Sequence, residues 1–174
     1  WTFVPTRPRP HAERALLGSG EISDDAAFVV AADIRQDAGH PDSAGIIAFT
    51  DKRLYSELYS ELFISGNRAD ESPPRVSILS LQLLRSACNS IGGPPIFFRA
   101  VLSNILFSVA TYRGRENHGD TRGCVMDFCD DISDIAVGLV NGPRFCKLCA
   151  ATLAQSGSSD LVLLADITRE IPDL

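Results

Sequence analysis

Gly123-Cys124-Val125-Met126-Asp127-Phe128-Cys129 is followed, after a largely apolar stretch, by Phe145-Cys146-Lys147-Leu148-Cys149. Four of the five cysteines of the chain therefore fall in one C-x4-C-x16-C-x2-C window. A C-x-x-C knuckle presents two thiolates from one tight turn. A second pair arriving from a distant turn completes a tetrahedral cage of soft donors, the arrangement zinc prefers. The competing reading, thiols packed as small hydrophobes, does not account for the clustering. The spacing points to Cys124, Cys129, Cys146 and Cys149 as ligands of one zinc ion. Four protein donors leave no open position, so such a metal holds shape and does no chemistry.

Outside the window, 174 residues with 45% hydrophobic and 22% charged side chains suffice for one domain with a proper core. The formal charge is −6 and the pI about 5.0. A chain that lives on phosphates usually carries a basic face, and none is visible, which argues against nucleic acid. The apolar runs Ile96–Ala110 and Leu161–Ile167 are interrupted by Arg99, Ser103 and Asn104 or are too short, so no membrane span is expected. No signal peptide is recognisable, and a start at Trp1 in place of Met implies a trimmed terminus or excision from a larger protein. The odd cysteine, Cys88, argues against a secreted disulfide scaffold. Metal in a reducing compartment, the cytoplasm, fits the spacing better.

Along the chain, Trp1–Pro10 reads as an extended lead-in or linker remnant. His11–Leu17 has helical character and is closed by Gly18. Ala26–Ala32 and Gly45–Thr50 are short apolar runs bounded by polar loops and are expected to be buried strands. Leu54, Leu58 and Leu62 recur every four residues across the doubled YSEL tetrapeptide, which predicts a helix. Val76–Leu81 predicts another strand. Gly92-Gly93-Pro94-Pro95 marks a turn and a helix entrance, followed by Ile96–Tyr112, apolar nearly all round. Asp131–Val140 places Ile132, Ile135, Ala136 and Leu139 on one helical face, and Leu161–Ile167 is expected as the last strand. The class is α/β or α+β in at most three layers.

The order of these pieces resembles archaemetzincin, a family of metzincin-type zinc metallopeptidases. The resemblance rests on Phe49-Thr50-Asp51-Lys52-Arg53-Leu54-Tyr55, then Leu62-Phe63-Ile64-Ser65-Gly66-Asn67, then Arg75-Val76-Ser77-Ile78-Leu79-Ser80-Leu81. It continues through Cys124-Val125-Met126, where the family has its Met-turn, to the Cys146/Cys149 knuckle. Met126 is the one methionine of the chain. The resemblance spans about Phe28 to Leu153 and implies an α/β fold. That fold has a mixed sheet, a long buried central helix, a Met-turn and a C-terminal cysteine knuckle holding a structural zinc. It implies a single domain over 1–174, with the zinc-binding subregion at 118–153. In the family a further cysteine lies five residues before the C-x-M cysteine. Gly119 stands there in this chain, which makes the adjacent His118 the alternative fourth ligand in place of Cys129.

The chain departs from the family where catalysis resides. In HExxHxxGxxH, two histidines a helical turn apart and a third past a glycine bind zinc, while the glutamate serves as base. In the natural frame Leu102, Leu106 and Tyr112 occupy the histidine positions, Ser103 the glutamate and Val109 the glycine. No His, Glu or Asp occurs anywhere in Arg99–Tyr112. The expectation is a non-catalytic relative, a pseudo-metallopeptidase with a structural zinc. It would serve protein binding, regulation or assembly with a protein partner inside a larger protein. The alternatives are a metal-dependent hydrolase of altered site using His118 and Asp120, and an unrelated zinc ribbon. Asp33, Asp37, His40 and Asp42 share no ligand spacing and read as a solvated acidic loop. Glu57 and Glu61 read as an exposed face.

Overall fold

A computed structural model describes residues 15–41, 43–68, 70–90, 92–119, 123–127 and 144–169, with residues 167–169 described through their backbone only. The chain forms two compact units, Trp1–Leu83 and Leu84–Leu174. Trp1–Pro10, the Asp131–Val140 face and Cys129 lie outside the described residues.

In the first unit, β1 (Glu21–Ser23) leads into helix α1 (Asp24–Asp37), followed by β2 (Ile46–Thr50), β3 (Arg53–Tyr55), β4 (Ile64–Gly66) and β5 (Val76–Ser80). The run Ala26–Ala32, expected as a strand, is helical. Ser23 caps it by accepting from the Ala26 N–H at 3.3 Å, and Asp24 and Asp25 complement the positive end of the helix dipole. Ala27, Phe28, Ala31 and Arg35 form its buried face. Arg35, 3% exposed, donates to the carbonyls of Ala44 (3.1 Å) and Pro74 (2.7 Å), tying the end of α1 to the loops that start β2 and β5.

β5 is the centre of a three-stranded sheet ordered β2-β5-β4, parallel to β2 and antiparallel to β4. All five of its residues are buried, as befits a strand covered on both faces. β1 and β3 pair in parallel as a separate ribbon. Val76, Ile78, Leu54, Ile22, Phe28 and Leu16 form one continuous core. The strand expected over Val76–Leu81 stops at Ser80, whose hydroxyl donates to the Lys52 carbonyl and accepts from the Leu83 N–H, starting helix α2 (Leu81–Asn89).

The doubled YSEL is not a helix. Leu54 is fully buried in β3, Leu58 is 86% exposed, and Leu62 returns to bridge Leu54 antiparallel. The Ser56 hydroxyl accepts from the Leu58 and Tyr59 N–H groups, and the Ser56 N–H donates to the Tyr59 carbonyl. The leucine spacing of four is that of a turned-back loop. Two of the leucines face the core across it.

The second unit holds α3 (Pro94–Tyr112), α4 (Lys147–Gln155) and α5 (Ser159–Arg169). Gly93, at φ 76°, precedes prolines in the first turn of α3, a position where proline loses no helical hydrogen bond. Ile96, Ala100, Leu106, Ser108, Val109 and Ala110 are buried, whereas Phe98 is 61% exposed. By length and composition alone α3 would also suffice to cross a membrane. Asn104 and Ser108 satisfy themselves inside it by donating to the carbonyls of Ala100 and Asn104.

Leu161–Ile167, expected as a strand, belongs to α5. Gly157, at φ 73°, ends α4 in a Schellman motif, in which the Ser158 N–H reaches the Leu153 carbonyl at 2.7 Å and the Gly157 N–H that of Ala154 at 3.1 Å. The chain then turns directly into α5, whose Leu161 and Ala165 are buried one turn apart. Arg113 at the end of α3 forms a two-point ion pair with Asp160 of α5, at 3.0 and 3.4 Å.

Candidate metal centre

Four potential ligands converge in the second unit: His118, Cys124, Cys146 and Cys149, with donor atoms all within 4.8 Å of one another. His118 follows the end of α3. Cys124 sits in the turn Cys124–Asp127, and Cys146 and Cys149 occupy the cap and first turn of α4. The turn is closed locally, since the Asp127 carboxylate accepts the Cys124 N–H at 2.8 Å while the Asp127 N–H reaches the Cys124 carbonyl at 3.0 Å.

Arg144 locks the turn to the knuckle. Its carbonyl accepts from the Val125 N–H at 2.7 Å and its Nε donates to the Gly123 carbonyl at 2.9 Å. Gly123 lies at φ 70°, a conformation that favours glycine, and a Cβ there would meet the Arg144 guanidinium at 2.7 Å, so the arginine would have to shift. Fully buried Met126 accepts the His118 N–H at 2.7 Å, which fixes the backbone of the histidine against the turn.

Two of the sulfurs approach one imidazole nitrogen. His118 Nε2 lies 3.4 Å from Cys146 Sγ and 3.2 Å from Cys149 Sγ, with the histidine only 8% exposed. Around a tetrahedral zinc, sulfur and nitrogen ligands stand about 3.5 to 3.8 Å apart, so the cluster is close to the size of a zinc coordination shell. Nε2 ligation requires the imidazole proton on Nδ1. Three thiols and an imidazole are the soft and borderline donors zinc selects. The residues fit a bound metal ion.

Burial pushes the Cys124 thiol up to about 12, against the pull of the Cys146 and Met126 N–H groups, which donate to its sulfur at 3.3 and 3.4 Å. Burial also raises Cys149, partly offset by Arg115, whose Nη2 donates to Cys149 Sγ at 3.2 Å. Cys146, more accessible, is lowered. Burial acts upward on it, but the N–H groups of Cys149 and Leu148 at the start of α4, with its sulfur neighbours, outweigh burial. These cysteines carry no disulfide. A divalent cation would supply the charge that lets the buried thiols ionise together.

The sequence reading named all four of these residues, with His118 as the alternative to Cys129. It missed Arg115 and Arg144. The only signal for Arg115 was its place just past a glycine at the end of an apolar helix, and nothing marked Arg144. Among the described residues no other grouping of His, Cys, Asp or Glu could hold a metal, and the Asp33–Asp37 region is part of α1. On α3, Leu106 is 2% exposed and Leu102 and Tyr112 are half-buried.

No protein-family model and no curated protein matches the chain. Among solved structures, archaemetzincin from Methanopyrus kandleri is similar at a TM-score of 0.51 and 14% identity, over 81% of this chain and 94% of that one. The chain has an archaemetzincin-like α/β fold with a candidate Cys/His metal site near its C-terminal end. At this identity the likeness concerns the fold alone.

Proposed function

We propose that this chain is a non-catalytic metzincin-like domain whose single zinc is structural and is held by His118, Cys124, Cys146 and Cys149. The observation that carries the reading is the convergence of four protein donors within 4.8 Å, which leaves no coordination position for a substrate or an activated water. The helix that bears the zinc ligands in the resembled family has Leu102, Leu106 and Tyr112 at those positions and Ser103 at the base position. Neither leucine nor serine in that pattern ligates and activates a zinc-bound water. The zinc joins the turn at Cys124–Asp127 to the α4 knuckle, and the domain serves protein binding, regulation or assembly. The free thiols suit a reducing compartment such as the cytoplasm. The acidic balance suits a protein partner better than nucleic acid or a membrane surface.

Metal analysis of the purified chain should find one zinc per molecule, with no cleavage of a mixed peptide library in the presence of added zinc. His118→Ala and Cys146→Ser should each lose the metal, whereas Cys129→Ser should keep it. Loss of zinc in Cys129→Ser with retention in His118→Ala would replace the fourth ligand. Chelator-sensitive peptide cleavage would overturn the non-catalytic reading.

A further inference from the structure

The metal centre has a counter-charge built beside it. Three thiolates and a neutral imidazole around a divalent zinc leave the centre one negative charge in excess. That charge sits among buried groups, where an uncompensated ion is costly. Arg115 is the cation in place: its Nη2 donates to Cys149 Sγ at 3.2 Å, and Cys149 is fully buried. The Nε of Arg115 is itself buried and meets no acceptor among the described residues.

Local sequence dictates where this arginine stands. α3 ends in a second Schellman motif, with Gly114 at φ 79°, its N–H bonded to the Thr111 carbonyl (2.9 Å) and the Arg115 N–H bonded to that of Ala110 (3.0 Å). The motif fixes the Arg115 backbone on the last turn of the helix, three residues ahead of His118. Arg115 is thereby carried by the helix, whereas Cys149 belongs to α4, and the N–H···S contact links the two.

We infer that Arg115 is the positioning residue of the zinc centre, neutralising its excess charge and polarising the Cys149 thiolate through a charge-assisted hydrogen bond. The inference rests on the structural-zinc reading. Hydrogen bonds to a ligating sulfur tune its donor strength and hold its orientation, and loss of such partners typically weakens metal binding about 10- to 100-fold. Charge and hydrogen bond are separable, because lysine keeps the charge without the planar fork and glutamine keeps an N–H donor without the charge.

The test uses the full chain loaded with zinc, or with cobalt(II) as a spectroscopic substitute. Arg115→Met should weaken zinc about tenfold or more in competition with a chromophoric chelator. It should also move the sulfur-to-cobalt charge-transfer band to lower energy, because the sulfur lone pairs lose a stabilising donor. Arg115→Lys should recover most of the affinity, and Arg115→Gln should recover the band position more than the affinity. A purely structural role would leave the band unmoved. The inference is overturned if Arg115→Lys and Arg115→Gln match the parent in both affinity and band, whether or not Arg115→Met folds. It is also overturned if Arg115→Met binds zinc like the parent. A parent chain that takes up neither zinc nor cobalt overturns the zinc reading and this inference together. A parent that binds metal beside indifferent variants overturns this inference alone.

Discussion

Leu106, on α3, is 2% exposed. Its side chain works by packing. Leu106→Ala should cost about 2–5 kcal/mol in chemical denaturation, as expected for removal of a buried leucine with incomplete collapse of the cavity. Leu102, half-buried, should cost less on the same change. Equal stability of Leu106→Ala and the parent would mean that the position lines an open cleft. Cys88 is a buried thiol of a different kind, outside the metal cluster, and burial pushes it up to about 11. The folded chain thus holds this proton more tightly than the unfolded one, whose thiol titrates near 9.0. Its contribution to stability is fully present below pH 9 and is lost as pH rises from 9 toward 11. Urea titrations across that range should show the decline, with a shallower one in Cys88→Ala. A thiol reagent at pH 8 should leave Cys88 unmodified until the protein unfolds.

At the scale of elements, glycines in left-handed conformation set the directions of the helices around the candidate metal centre. Gly157 ends α4 and turns the chain into α5, and nothing lies within 4 Å of where its Cβ would be. Gly157→Ala should therefore destabilise by conformation alone, by about 1 kcal/mol, seen as a lowered denaturation midpoint with the zinc content unchanged. Gly123→Ala adds a clash with Arg144, the residue that joins the Cys124 turn to the knuckle. It should lower zinc content as well as stability, and normal zinc loading in that variant would show that the clamp is dispensable. The elements also explain the misread runs. Ala26–Ala32 and Leu161–Ile167 are short apolar stretches, for which a strand and a buried helix look alike in periodicity. The decisive signals were at their starts. Ser23-Asp24-Asp25 and Ser158-Ser159-Asp160 are helix-opening sequences with an acidic first turn.

At the scale of the molecule, the candidate metal centre belongs to one of two compact units, and on the structural-zinc reading removal of the metal should be felt there first. Binding energy at a structural site is folding energy for the segments it joins. Addition of a strong chelator to the intact protein should raise hydrogen exchange in 118–119, 123–127 and 144–155, while β5 amides, in the middle of the first unit's sheet, keep their protection. Uniform loss of protection would show that the metal stabilises the whole chain cooperatively. Unchanged exchange in the knuckle would show that packing alone holds it.

The sequence by itself determined the chemistry available to this protein. The clustered thiols at 124, 129, 146 and 149 are soft donors of the kind a zinc ion selects. Arg99–Tyr112 contains no His, Glu or Asp. The proline pair after Gly93 and the apolar run behind it were enough to place α3. Only the tertiary structure decided the rest. His118 is 28 residues from Cys146 in sequence yet 3.4 Å away in space, and no spacing rule encodes that approach. Arg115 acquires its meaning from a backbone motif and from a sulfur 34 residues on. The leucine repeat at Leu54, Leu58 and Leu62 became a strand and a loop because β3 pairs with β1 and Leu62 returns to Leu54. A four-residue period records which side chains seek the core. Whether a helix or a folded-back loop brings them there depends on partners elsewhere in the chain.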